Sequence, residues 1–96
     1  MTIAETLRTK LETAFDPALL DVVDESHLHA GHMGARPEGE THFRVTIVSS
    51  AFSGAVRVQR HRMVHEVLAD ELRDRVHALA LILRTPEEAE TATRNS

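Results

Sequence analysis

The sequence has no cysteine, which excludes disulfides, thiolate zinc sites and any thiolate cluster held by this chain alone. Aromatic residues are scarce. Three Phe with no Trp or Tyr argue against a stacking platform for single-stranded bases, which needs exposed aromatic faces. No apolar run approaches the roughly 20 residues of a membrane-crossing helix. The N-terminus alternates polar and apolar residues instead of reading as a secretory signal, so no membrane association and a cytoplasmic location are expected. The nucleophile elbow G-x-S-x-G, the Walker A loop and G-x-G-x-x-G are all missing, and the expectation is a protein that is not an enzyme. A net charge of −4 argues against indiscriminate nucleic-acid binding and restricts any such role to a local basic patch.

What is present fits one small domain. A chain of 96 residues buries roughly 60–70% of the surface it exposes when unfolded, enough for a single core. Ile3, Leu7, Leu11 and Phe15 recur every fourth residue and predict a helix over 2–15, with Thr2 and Glu5 placed for a capping box and Asp16-Pro17 as its stop. Leu19 to Asp24 reads as a short strand. His27 to Glu40, with three glycines and one proline, reads as a long loop. In Thr41 to Ser49, Phe43, Val45 and Ile47 alternate with His42, Arg44 and Thr46, the pattern of a half-buried strand. Val64, Val67, Leu68 and Leu72 predict a helix over 59–75. His77 to Leu83 is apolar on both faces, which predicts a central strand. Residues 1–86 read as one domain and 87–96 as a flexible C-terminal tail. The order predicts an α+β fold with helices packed on one face of a sheet. The first two strands can pair antiparallel, and the last can return by a right-handed crossover if parallel.

Histidine supplies the strongest chemical signal. His27, His29 and His32 fall within six residues of the loop, and His42 and His77 stand at or near strand starts. Neutral imidazole ligates zinc, copper, iron and nickel. The plainer alternative is a set of solvated loop histidines, with His77 satisfying a backbone group at a strand edge. A second signal is Arg57 followed by Arg60-His61-Arg62 at the start of a helix. The helix dipole is already positive there, so an anionic partner would relieve the conflict. The alternative is a basic turn paired with nearby acids. Gly31-His32-Met33-Gly34 matches the G-x-x-G clamp of KH domains, but it falls between two predicted strands instead of two helices and is discounted.

Taken in order, Val23-Asp24-Glu25-Ser26-His27, Glu40-Thr41-His42-Phe43-Arg44-Val45, Val48-Ser49, Phe52-Ser53-Gly54, Arg60-His61-Arg62 and Val76-His77-Ala78-Leu79-Ala80-Leu81, followed by Thr85-Pro86, resemble the BolA family over about residues 3–88. The resemblance implies a class II KH-like αββααβ fold with a three-stranded sheet, its extra short helix falling around Ser50 to Val56. It implies a monothiol glutaredoxin as partner and a 2Fe–2S cluster shared with that glutaredoxin and glutathione, for iron–sulfur trafficking or iron sensing. His77 matches the family's histidine ligand. The second ligand comes from the loop between the first two strands and matches His29, with His32 as an equally suitable donor. The family also implies DNA binding, with control of transcription, cell morphology and stress response. Arg57, Arg60, His61 and Arg62 are then the candidate phosphate contacts. A stand-alone zinc or copper site in the histidine loop is a third alternative. The oligomeric state of the isolated protein stays open.

Overall fold

The structure, a computed structural model, describes residues 2–26 and 41–94. The first helix, α1 (Ile3–Phe15), carries the capping box read from the sequence: Thr2 Oγ1 accepts the Glu5 N–H at 3.1 Å while Glu5 Oε2 accepts the Thr2 N–H at 3.4 Å. Asp16 closes α1 in the left-handed region at φ 43°, its N–H donating to the Glu12 carbonyl. That conformation is one Asp tolerates better than most residues. Strand β1 (Leu19–Asp24) follows and pairs antiparallel with β2 (His42–Val48).

After β2 the chain makes a 3-10 turn at Ser50–Phe52, with the Ser49 hydroxyl accepting the Ala51 N–H. Gly54, at φ +79°, then turns the chain toward α2 (Arg57–Val67). Helix α3 (Ala69–Asp74) leads into β3 (Ala78–Arg84), which pairs parallel with β2. A final helix, α4 (Pro86–Arg94), completes the described chain.

The core lies between one sheet face and the helices. Phe43, Val45 and Ile47 from β2 join Leu7, Leu11 and Phe15 of α1, Val64 of α2, and Phe52, Leu68 and Val76 in one buried cluster. Leu20, Val22, Leu79, Leu81 and Leu83 pack against its margin. Burying a side chain such as Leu or Phe stabilises the fold by roughly 1.5–3 kcal/mol, so this cluster fixes the sheet's orientation. The opposite face presents Leu19, Arg44, Ala78, Ala80 and Ile82 to solvent. The α+β class, the three-stranded sheet and the αββααβ order agree with the sequence reading.

Four details are corrected. The sheet order is β1-β2-β3, so the strand expected to be central lies at an edge. The helix expected over 59–75 starts at Arg57 and breaks at Leu68, whose backbone (φ −102°, ψ 17°) departs from helical geometry while its side chain is wholly buried. The family's paired helices are therefore α2 and α3, and the helix expected around Ser50 to Val56 is only the 3-10 turn. The flexible tail expected from residue 87 is helical through Arg94. Thr85 Oγ1 accepts the Glu88 N–H at 3.2 Å, and Glu88 Oε1 accepts the Thr85 N–H at 2.9 Å, a second capping box with Pro86 at the first helical position.

Glu88 also anchors α4 to α2. Arg60 donates through Nη1 and Nη2 to both Glu88 carboxylate oxygens, at 2.6 and 3.0 Å. Hydrogen bonding from Arg60, then from the Thr85 N–H, holds the Glu88 carboxyl at about 2, below its ordinary 4.5. A carboxyl lowered on folding adds stability that is complete above its unfolded value and is lost as pH falls through the folded one. Protection of the α4 amides from hydrogen exchange should therefore decline between about pH 4.5 and 2. Glu88→Gln should weaken that protection at neutral pH and flatten its pH dependence; an unchanged profile would show that the pair does not hold α4.

Candidate functional site at the histidine end of the sheet

The two histidines outside the loop and helices meet because β2 and β3 are parallel. His42 is paired with Ala78 in that register, which brings the residue before β3, His77, to the same end of the sheet. The His42 and His77 ring centroids are 5.8 Å apart, with planes inclined by 49°. Their exposures differ: His42 is buried, at 8%, whereas His77 is open to solvent.

Thr41 organises the surrounding backbone. Its carbonyl accepts the N–H groups of His77 at 2.7 Å and Ala78 at 3.1 Å, fixing where β3 begins. Its Oγ1 lies 2.8 Å from His42 Nδ1 and shares a hydrogen bond with it. Ser26 Oγ accepts the N–H groups of Thr41 at 2.8 Å and His42 at 3.2 Å. Ser26 is itself turned by its N–H bond to Asp24 Oδ1, at 2.9 Å. Residues 26 and 41, the ends of the long connection, are thus clipped together beside the imidazole pair. A hollow of about 240 Å³ opens there, lined by Glu25, His42, Phe43, Ala78, Leu79 and Ala80.

His27, His29 and His32 lie outside the described residues. Among the described residues, no three histidine, aspartate or glutamate side chains come together as a metal site. The described chain therefore brings imidazole to this end of the sheet without a complete ligand set.

The basic turn lies toward the other end of β3. Arg57, Arg60 and His61 line an open cleft of about 640 Å³ with Val56, Ile82 and Arg84. Arg62 is exposed but is not part of its lining. Arg60 is occupied internally. Besides Glu88, its Nε donates to the Ala55 carbonyl at 2.8 Å and its Nη1 to the Leu83 carbonyl at 3.2 Å. Its guanidinium carbon lies 5.9 Å from the Phe52 ring centroid. The charge of Arg60 is answered within the fold, whereas Arg57, His61 and Arg84 are the basic groups left to face the cleft.

The BolA-like protein family model matches residues 11–88. This chain belongs to the BolA family. Human BolA-like protein 1 is 51% identical over 82 residues, covering 85% of this chain and 57% of that protein. The DNA-binding transcriptional regulator BolA of Haemophilus influenzae is 41% identical over 88 residues, covering 92% and 82%. SufE-like protein 1 of Arabidopsis thaliana is 46% identical over 86 residues, of which 85% of this chain covers only 23% of the relative. The solved BolA domain of that plant protein superposes with a TM-score of 0.80, covering 88% of this chain and 93% of that domain. Among the described residues, no helix is long and apolar enough to cross a membrane.

For this BolA domain the sequence reading named His77 but gave no role to Ser26, Thr41, Arg84 or Glu88. Ser26 had a local signal, since Asp24-Glu25-Ser26 follows a strand and suits a side-chain-capped turn. Its bond across to Thr41 depends on strand pairing and has no local signal. Ser26→Ala would remove the acceptor of the buried Thr41 N–H, at a cost of about 1–3 kcal/mol. Urea unfolding should show that loss with an unchanged m value, and the His77 ring resonances should shift; unperturbed resonances would separate the clip from the imidazole pair.

Proposed function

We propose that this BolA-family protein is the cysteine-free half of a pair with a monothiol glutaredoxin, sharing a 2Fe–2S cluster for iron–sulfur trafficking or iron sensing. The observation that carries this reading is His77, an exposed imidazole on a backbone pinned by Thr41, beside a buried second imidazole and the clipped residues 26 and 41 that flank the histidine-bearing segment. Such a cluster takes four ligands, and histidine can replace thiolate on one iron. This chain offers nitrogen donors and no sulfur donor from cysteine. The donor chemistry therefore fits a shared site in which glutaredoxin and glutathione bring the thiolates. His77 would be one ligand from this chain, and His29 or His32 the other. The cluster, when bound, supplies one-electron chemistry at a potential raised by imidazole ligation. The protein's part is to present His77 on a fixed strand start and to pack its ring against His42.

Anaerobic reconstitution with a monothiol glutaredoxin and glutathione should yield a heterodimer whose visible absorption and circular dichroism differ from those of the glutaredoxin cluster alone. His77→Ala should keep the fold and the heterodimer but alter or abolish that spectrum. His29→Ala and His32→Ala should differ in effect, with the larger loss naming the second ligand. An unchanged spectrum in the His77 variant removes it from the site, and failure to form any complex removes the reading.

A second reading, as a DNA-binding regulator, is favoured by the Arg57, His61 and Arg84 cluster and by the name of the Haemophilus influenzae relative. Arg57 and Arg62 are the exposed helix cations to test, since Arg60 holds α4. Replacing both by Ala should weaken duplex binding and lower its salt slope by about 1 per lost phosphate contact. An unaltered slope would exclude this helix from DNA contact.

A further inference from the structure

We propose that the outer edge of β3 is a docking site for an extended acidic segment of another protein, which joins the sheet as a fourth strand. Ala78 donates its N–H to Thr41 and Arg84 accepts from the Ser49 N–H, so the groups of both residues point toward β2. Alternation along a parallel ladder then points Ala80 and Ile82 inward and Leu79, Leu81 and Leu83 outward. Arg60 takes the Leu83 carbonyl, which agrees with that alternation. The N–H and C=O groups of Leu79 and Leu81 line an edge that has no further strand among the described residues.

Up to Leu81 this edge also lacks the usual protection. Edge strands are normally guarded by charge, proline or a bulge. Ala78 to Leu83 is uninterrupted by any charge or proline, and its register with β2 runs from His42↔Ala78 to Val48↔Arg84 without a bulge. The 640 Å³ cleft runs beside its second half, from Leu81 to Arg84. Val56, 60% exposed, and Ile82, 38% exposed, give apolar contact for alternate side chains of an incoming strand. Arg57, His61 and Arg84 supply positive charge, while the charge of Arg60 is matched by Glu88.

Those features favour an acidic polypeptide over the other occupants. A second copy added antiparallel would present its own Ala78 to Leu83, which carries no acidic side chain to meet Arg57, His61 and Arg84. Nucleic-acid phosphates can accept from the Leu79 and Leu81 N–H groups but have no hydrogen to donate to the carbonyls between them. An extended peptide offers both at the spacing of the ladder, with its acidic side chains directed to the arginines.

The probe is a fluorescein-labelled heptapeptide alternating glutamate and valine, titrated into the protein alone. Saturable binding is expected, with slowed exchange of the Leu79 and Leu81 amides. A peptide N-methylated at alternate residues should lose binding, since its side-chain charge is intact but its ladder donors are gone. Arg57→Glu with Arg84→Glu should weaken the parent peptide by about tenfold or more while leaving the thermal midpoint unchanged. Equal binding of the N-methylated peptide, or no binding at millimolar concentration, would overturn the proposal. So would a concentration-dependent dimer, or a DNA duplex, that protects the same two amides. No glutaredoxin or cluster is present, so failure here leaves the iron–sulfur reading standing and is distinguishable from its failure.

Discussion

The peptide unit at Thr41 is the point on which the described structure turns. Its N–H is held by Ser26, its carbonyl receives the first two amides of the β3 region, and its hydroxyl reaches the ring of His42. Three segments distant in sequence are thereby joined within a residue that is 2% exposed. Each bond adds only about 0.5–1.5 kcal/mol, but leaving a buried partner unsatisfied costs more. The arrangement is therefore made as a unit. No buried side-chain polar atom among the described residues is left without a partner. The consequence for chemistry is positional, because an exposed imidazole on a start of strand fixed in this way loses less freedom on binding than one on an untethered chain.

Local patterns made much of this fold legible. The four-residue repeat of α1 and the alternation in β2 each bury the expected face, and Thr2 with Glu5 forms the expected cap. What sequence could not show was pairing at a distance. Apolar residues on both sides of β3 suggested a central strand, yet only the order of strands decides which one lies at the edge. His42 and His77 are separated by 35 positions (77 − 42), and nothing local brings their rings together. Their contact depends on a parallel register. The resemblance to BolA proteins singled out His77, but the clip beneath it came from the structure.

The C-terminal segment shows the same limit from the opposite side. Thr85-Pro86-Glu87-Glu88 contains a complete local signal for a helix start, although Glu87 to Ser96 has no apolar periodicity. That absence is real, since α4 contributes no residue to the buried cluster. The helix is held instead by its cap and by Arg60, a residue 28 positions away. Within the basic turn it is Arg60 whose charge is answered, and the answer lies after β3. Arg60 is therefore structural in the isolated chain, and its neighbours Arg57 and Arg84 carry the cleft's outward charge.

Strand β3 separates the two surfaces that these residues build. Its start is fixed beside His77, whereas Arg84 ends it against the cleft and α4. Seven residues at about 3.3 Å per residue put roughly 20 Å between those ends, more than a Debye length at physiological salt. A charge brought to one end is thus screened from exposed groups at the other. A partner seated over the imidazoles alone need not cover the arginines. The link between them is mechanical: a shift of β3 alters both the His42–His77 contact and the Arg60–Leu83 bond, because His77 and Leu83 stand at opposite ends of the same strand.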